Sequence, residues 1–129
     1  EAHPVPVTML TMNVVVAETA EEAQRRALPQ ARGFARLRSG RPLLAMETIE
    51  AALAAPDAEL DAAAAAVAAQ WIVDAPAAAA ARIRTLATTH GVDEVMLSPS
   101  AGSYADEPMD ASPGREATLR LLVEALSAA

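Results

Sequence analysis

The 129 residues carry 17 acidic and 10 basic side chains, a net charge of −7 at neutral pH that argues against broad attraction to nucleic acid or to anionic membrane surfaces. Cysteine is absent, so disulfides, thiol catalysis and thiolate metal sites are excluded. Hydrophobic residues reach 53%, yet alanine runs such as Ala62 to Ala66 and Ala77 to Ala81 supply much of that and aromatics only 2%; the core this chain can build alone is thin, and its apolar faces are expected to lean on a partner chain or on a further stretch of the same protein.

The length suits one domain over residues 1–129. No basic-then-apolar leader opens the chain, and Asp57, Glu59, Asp61 and Asp74 interrupt the alanine runs, so neither a signal peptide nor a spanning helix is expected and a cytoplasmic location follows. Behind a lead punctuated by Pro4 and Pro6, Thr8 to Val16 reads as a strand with Leu10, Met12, Val14 and Val16 on one side and Met9, Thr11, Asn13 and Val15 on the other. Both sides are mostly apolar, as in a parallel strand covered on two faces. Thr19 and Glu22 have capping-box spacing and start a helix near Ala20, which Pro29 either kinks or ends; Ala31 to Arg38 can be helical again before Ser39-Gly40-Arg41-Pro42. All the basic residues are arginines, concentrated between Arg25 and Arg41, a pattern that reads as a solvated helix face in preference to an anion-binding strip.

Short helices are expected over Glu47 to Ala54 and Ala58 to Ala69, then a strand at Gln70 to Val73 and a helix from Pro76 to His90 that Gly91 stops. Val92 to Ser98 is the next strand, Pro99 to Gly114 a long loop, and Arg115 to Ala128 a last helix with Leu119, Leu122, Val123 and Leu126 along one stripe. The alternation is that of βα units on a parallel sheet. Three such strands alone leave open edges and a bare face, so the sheet is expected to need completion.

Three passages together resemble the luciferase-like flavin-dependent monooxygenase family. They are Asn13-Val14-Val15-Val16-Ala17-Glu18-Thr19-Ala20-Glu21-Glu22-Ala23; Ile72-Val73-Asp74-Ala75-Pro76 leading into Ala81-Arg82-Ile83-Arg84-Thr85-Leu86; and Gly91-Val92-Asp93-Glu94-Val95-Met96-Leu97, with Arg115 and Leu121-Leu122 in matching places of the final helix. The resemblance implies an α/β fold, a partial (β/α)8 TIM barrel of which this chain holds roughly the last three βα units, strands six to eight, with extra helices after the first strand. It implies a part of an oxidoreductase that uses reduced FMN, or the deazaflavin F420 in some branches, with molecular oxygen on a small organic substrate, the reduced flavin coming from a separate reductase. The alternative is a non-catalytic fragment that completes a barrel with a partner or forms a homo-oligomer. With the first half of the barrel outside this sequence, no flavin is expected to bind the chain alone.

Sites of such barrels lie at the carboxyl ends of the strands, which singles out Thr11, Asn13 and Ser98 as cofactor- or substrate-binding groups, each with a bland alternative as a satisfied buried or turn residue. Arg115 suggests an anion contact or a loop-anchoring salt bridge, with the structural role favoured. Tyr104 either belongs to a lid or packs its loop down, and Asp93-Glu94 reads as a structural pair at a strand start. Asp74 and Ala75 stand where the family has glycine and a hydroxyl cap, so a carboxylate there repels the phosphate that a helix end would attract. The loop from Ser98 to Gly114 is longer and more acidic than is usual in the family. His3 and His90 suggest no metal site, and no phosphate-cradling glycine loop occurs.

Overall fold

A computed structural model describes residues 5–128, so His3 and Pro4 lie outside the described residues. In chain order the elements are β1 (Met9–Val16), α1 (Ala20–Arg38), α2 (Ile49–Ala54), α3 (Ala58–Ala68), β2 (Ile72–Asp74), α4 (Pro76–His90), β3 (Glu94–Pro99) and α5 (Pro113–Ser127). The strands form one parallel sheet, as the βα alternation predicts.

The sheet order is β2-β1-β3. Three successive barrel units would set each strand beside the one before it, giving β1-β2-β3. Here the first strand lies in the middle because the connections use opposite faces. Val15 and Val73 pack against α1 and α3 on one side, through Ala23, Ala27, Leu60, Ala64 and Trp71. Met12, Val14, Val16 and Ile72 pack against α4 and α5 on the other, through Ala79, Ile83, Leu121 and Leu122. Helices on both faces of a parallel sheet satisfy its near-continuous apolar runs.

Local chemistry explains where elements begin and end. Gly91 takes φ 63°, and the N–H groups of Gly91 and Val92 close on the Thr88 and Ala87 carbonyls, so α4 terminates there and β3 starts at Glu94 instead of Val92. The N–H groups of Gln70 and Trp71 likewise turn back onto Val67 and Ala68, which delays β2 to Ile72. Pro113 occupies the first turn of α5, two residues before the expected start. At α1 half of the capping box forms: the Thr19 hydroxyl accepts from Glu22 N at 3.1 Å, while the Glu22 carboxylate is engaged elsewhere.

Pro29 does not end α1, which runs through it. Its missing N–H deprives the Arg25 carbonyl of an intrahelical donor. Beside that gap, the next carbonyl, that of Arg26, accepts the N–H of Gly102 at 2.6 Å and ties the β3–α5 loop to the helix.

The arginine row is not a solvated face, contrary to the sequence expectation. Arg32 is 2% exposed and donates to the Ala52 and Ala55 carbonyls at the end of α2, where a cation suits both the orphan acceptors and the helix dipole. Arg36 makes two bonds to Glu47, at 3.2 and 3.3 Å, and Arg41 reaches Asp57 at 2.8 Å. The Leu60 N–H, and after it the Arg41 guanidinium, hold the Asp57 carboxyl below its usual range, and the same bond raises Arg41. These pairs fasten α2 and α3 to α1 as one layer. The side chains reach inward because the loops between α1 and α3 bring carboxylates and helix-end carbonyls to them, a condition that composition does not reveal.

Candidate functional site

The sheet is unevenly covered. Toward the carboxyl end of β1, Val15 lies beneath α1 and α3, but the same face is bare farther back, where Met9 and Met96 are 43% and 53% exposed. Parallel register sets Met9 beside Glu94, Thr11 beside Met96 and Asn13 beside Ser98, so these six side chains share one face. Three of the four residues singled out from sequence, Thr11, Asn13 and Ser98, are therefore together on an open, methionine-flanked patch, although Thr11 and Asn13 lie inside β1 and not at its carboxyl end, because the strand continues to Val16. Thr11 and Ser98 are exposed and Asn13 is half-buried.

Asn13 is held by a group not singled out from sequence. The buried Ser100 hydroxyl lies 3.1 Å from both Asn13 Oδ1 and the Ser98 carbonyl, and Ser100 N donates to the Val14 carbonyl at 3.0 Å. The Asn13 amide nitrogen has no protein acceptor among the described residues, which leaves its N–H groups available as donors. The patch thus offers hydroxyl groups and an oriented amide beside two methionines, with the Glu94 carboxylate at its border, a composition suited to a partly apolar ligand that needs few directional contacts.

Arg115 does not join it. This exposed residue of the first turn of α5 borders a separate cleft of about 250 Å³ with Gln30, Glu47, Thr48, Ser103 and Ser112. It forms no ion pair among the described residues, so the loop anchor expected at Arg115 is supplied instead by Arg26. Arg26 Nη1 donates to the Gly102 carbonyl at 3.1 Å and to Glu107 at 2.6 Å, and its guanidinium lies 4.6 Å from the centre of the Tyr104 ring. The Tyr104 hydroxyl donates to Glu22 at 2.7 Å, and its N–H to Glu107 at 3.2 Å. Tyr104 packs its loop down; it is not a free lid. The sequence signal was faint: a long acidic loop with Gly102 opposite a helix interrupted by Pro29.

Burial, and then the bond to Glu22, raise the Tyr104 phenol above its ordinary value of 10.0. Since this is the chain's single tyrosine, phenolate absorbance reads the site alone. Half-ionisation is expected above the pH of a free phenol, and Glu22→Gln is expected to move it back down. The raised value means that Tyr104 contributes stability in full below the unfolded phenol value and loses it as pH rises through the folded one. A wild-type titration coincident with free tyrosine would contradict the geometry.

Two further polar groups close the carboxyl edge. Asp74 Oδ1 accepts the Ala75 N–H at 2.8 Å, so a carboxylate occupies the start of α4 and disfavours an anion there. Thr118, a hydroxyl inside the apolar stripe of α5, accepts from Val16 N and donates to Val16 O, both at 3.1 Å, which leaves neither backbone group of that strand end unpaired. Among the described residues no cluster of three or more histidine, cysteine or acidic side chains could hold a metal ion, and no helix is long and apolar enough to cross a membrane.

Neither a protein-family model nor a curated protein matches the sequence. Among solved structures, the crystal structure of apo-MsnO8 is similar over 98% of this chain, with a TM-score of 0.72 and 21% sequence identity. The chain spans only 36% of that protein's length, and at this identity the likeness is one of fold.

Proposed function

We propose that this chain is the C-terminal part of a luciferase-like flavin-dependent monooxygenase, and that its bare sheet patch faces the rest of a barrel that completes the pocket. The observation that carries the reading is the convergence of Thr11, Asn13 and Ser98 on one open face of a parallel sheet. Their hydrogen-bonding groups, set among Met9 and Met96, fit the polar edge and apolar faces of a flavin ring. Reduced FMN, with F420 as the alternative, would supply the two electrons needed to activate oxygen toward a small organic substrate. Asn13 would orient the ligand through its free amide while Ser100 keeps that amide from turning, and the methionines would exclude water. Asp74 argues that the cofactor's phosphate is held by another part of the protein.

Support comes also from the three passages that resemble the family, which fall at the β1–α1 junction, the β2–α4 junction and β3. The strand order β2-β1-β3 weighs on the other side, because it departs from successive barrel units. The bare patch equally suits the second reading, a non-catalytic fragment that completes a partner's barrel or pairs with its own copy.

The test is co-production of this chain with the polypeptide encoded immediately upstream, expected to add about 200 residues of alternating βα pattern. The combined species is expected to quench FMN fluorescence, whereas the 129-residue chain alone does not. Asn13→Ala should weaken flavin binding without altering the fold. A combined species that is folded and binds neither FMN nor F420 would remove the oxidoreductase reading and leave the structural one.

A further inference from the structure

A second cleft, of about 190 Å³, opens at the carboxyl end of β1 between α1 and α5. The topology draws attention to it independently of any flavin. β1 connects to α1 on one face of the sheet, and β3, by way of a loop that first packs on α1, connects to α5 on the other, so the helices that follow these neighbouring strands lie on opposite faces. In open α/β sheets the crevice outside diverging carboxyl ends is where ligands bind.

The lining defines the chemistry of an occupant. Val16, Ala17, Ala117 and Leu121 make an apolar floor, and because Thr118 satisfies both backbone groups of Val16, that strand end offers the cleft no polar demand. Glu22 and Arg26 also border it, but they are 3.3 Å apart and engaged with Tyr104 and Glu107. Two charges remain uncommitted, on different walls. Glu18, in the β1–α1 turn, is exposed and forms no ion pair among the described residues. Arg120, on α5, has only a 3.6 Å contact with Glu124, both side chains being more than half exposed. The volume suits a small molecule.

We propose that this cleft binds a small zwitterion of the α-amino-acid class, its ammonium at Glu18, its carboxylate at Arg120 and its side chain on the apolar floor. The site is distinct from the open sheet patch and does not rest on the flavin reading. A zwitterion meets both charges at once, whereas an anion or a cation alone meets only one of them.

L-alanine is the probe, titrated into the isotopically labelled chain and followed by amide shifts. Saturable shifts are expected at Val16, Ala17, Gly114 and Leu121 in the millimolar range, with acetate and methylammonium alone binding about tenfold more weakly. Glu18→Gln and Arg120→Gln, both at exposed positions, should each weaken alanine by about threefold to fivefold while leaving the remaining spectrum in place. The proposal is overturned if alanine gives no saturable shift, if acetate matches it, or if either variant binds as wild type does. Preserved spectral dispersion in the variants separates a lost site from a lost fold.

Discussion

Replacing Arg32 by alanine is expected to cost about 3–5 kcal/mol, the range for removing one partner of a buried ionic cluster. The side chain closes two carbonyls at the end of α2 and faces Glu47 and Asp61 at 3.5 and 3.6 Å. Its removal would leave buried acceptors without donors and a void where the guanidinium was. Against a total stability of about 5–15 kcal/mol for a single domain, that loss is large enough to move the urea midpoint by a substantial fraction. Trp71 is the only tryptophan, is 5% exposed and meets Phe34 edge-on at 5.9 Å, so its fluorescence follows the layer that Arg32 fastens. A shift worth less than about 1 kcal/mol would mean that water readily replaces the guanidinium and that α2 is not held from beneath.

Gly102→Ala is expected to destabilise by about 1–3 kcal/mol through overpacking, even though its backbone adopts an ordinary conformation. A methyl there would lie 2.7 Å from Pro29 Cγ and 3.2 Å from the Arg26 carbonyl, neither of which can withdraw without reshaping α1. Relief requires the loop to lift, which stretches the Gly102–Arg26 backbone bond and unseats Tyr104. Lower urea stability should therefore coincide with a Tyr104 titration closer to that of a free phenol. Gly33→Ala in the same helix supplies the contrast. Nothing lies within 4 Å of the new carbon, and the lost backbone freedom of glycine should yield a gain of about 1 kcal/mol. Equal destabilisation by both substitutions would show that the helix, and not the loop contact, is the sensitive element.

Much of the fold was legible because it is periodic or punctuated. The alternating faces of β1 did diverge into two separately packed clusters and Gly91 did terminate α4, but of the stripe expected on α5 only Leu122 is buried and Leu126 partly so; Leu119 and Val123 are exposed, because the helix turns Thr118 and Leu121 to the sheet instead. Strand order was not legible, since it depends on the face each crossing helix takes, which no local pattern in α1 or α4 specifies. The burial of Arg32 was hidden for a related reason: its carbonyl acceptors are 20 and 23 residues along the chain, so nothing local distinguishes it from exposed Arg38. For the candidate site, alternation puts Thr11 and Asn13 on one face of β1, while Ser98 was singled out by the rule for barrel strand ends and its place beside Asn13 is set by the strand register; Ser100, which orients Asn13, follows Pro99 in a stretch whose path no periodicity dictates. Arg115 was misplaced because its position near a helix start says nothing about which way that start faces.

The outer border of β3 has a bearing on how the molecule behaves at high concentration. As the last strand in the order β2-β1-β3, it presents unpaired main-chain groups along one side, the usual template for runaway fibrillar stacking. It is short, however, and bounded by the negative charge of Glu94 at one end and at the other by the ring of Pro99, which has no hydrogen to donate. Such gatekeepers restrict recruitment to a single strand of matching length and disfavour an endless ladder, so a border able to accept a companion need not make the chain prone to amyloid.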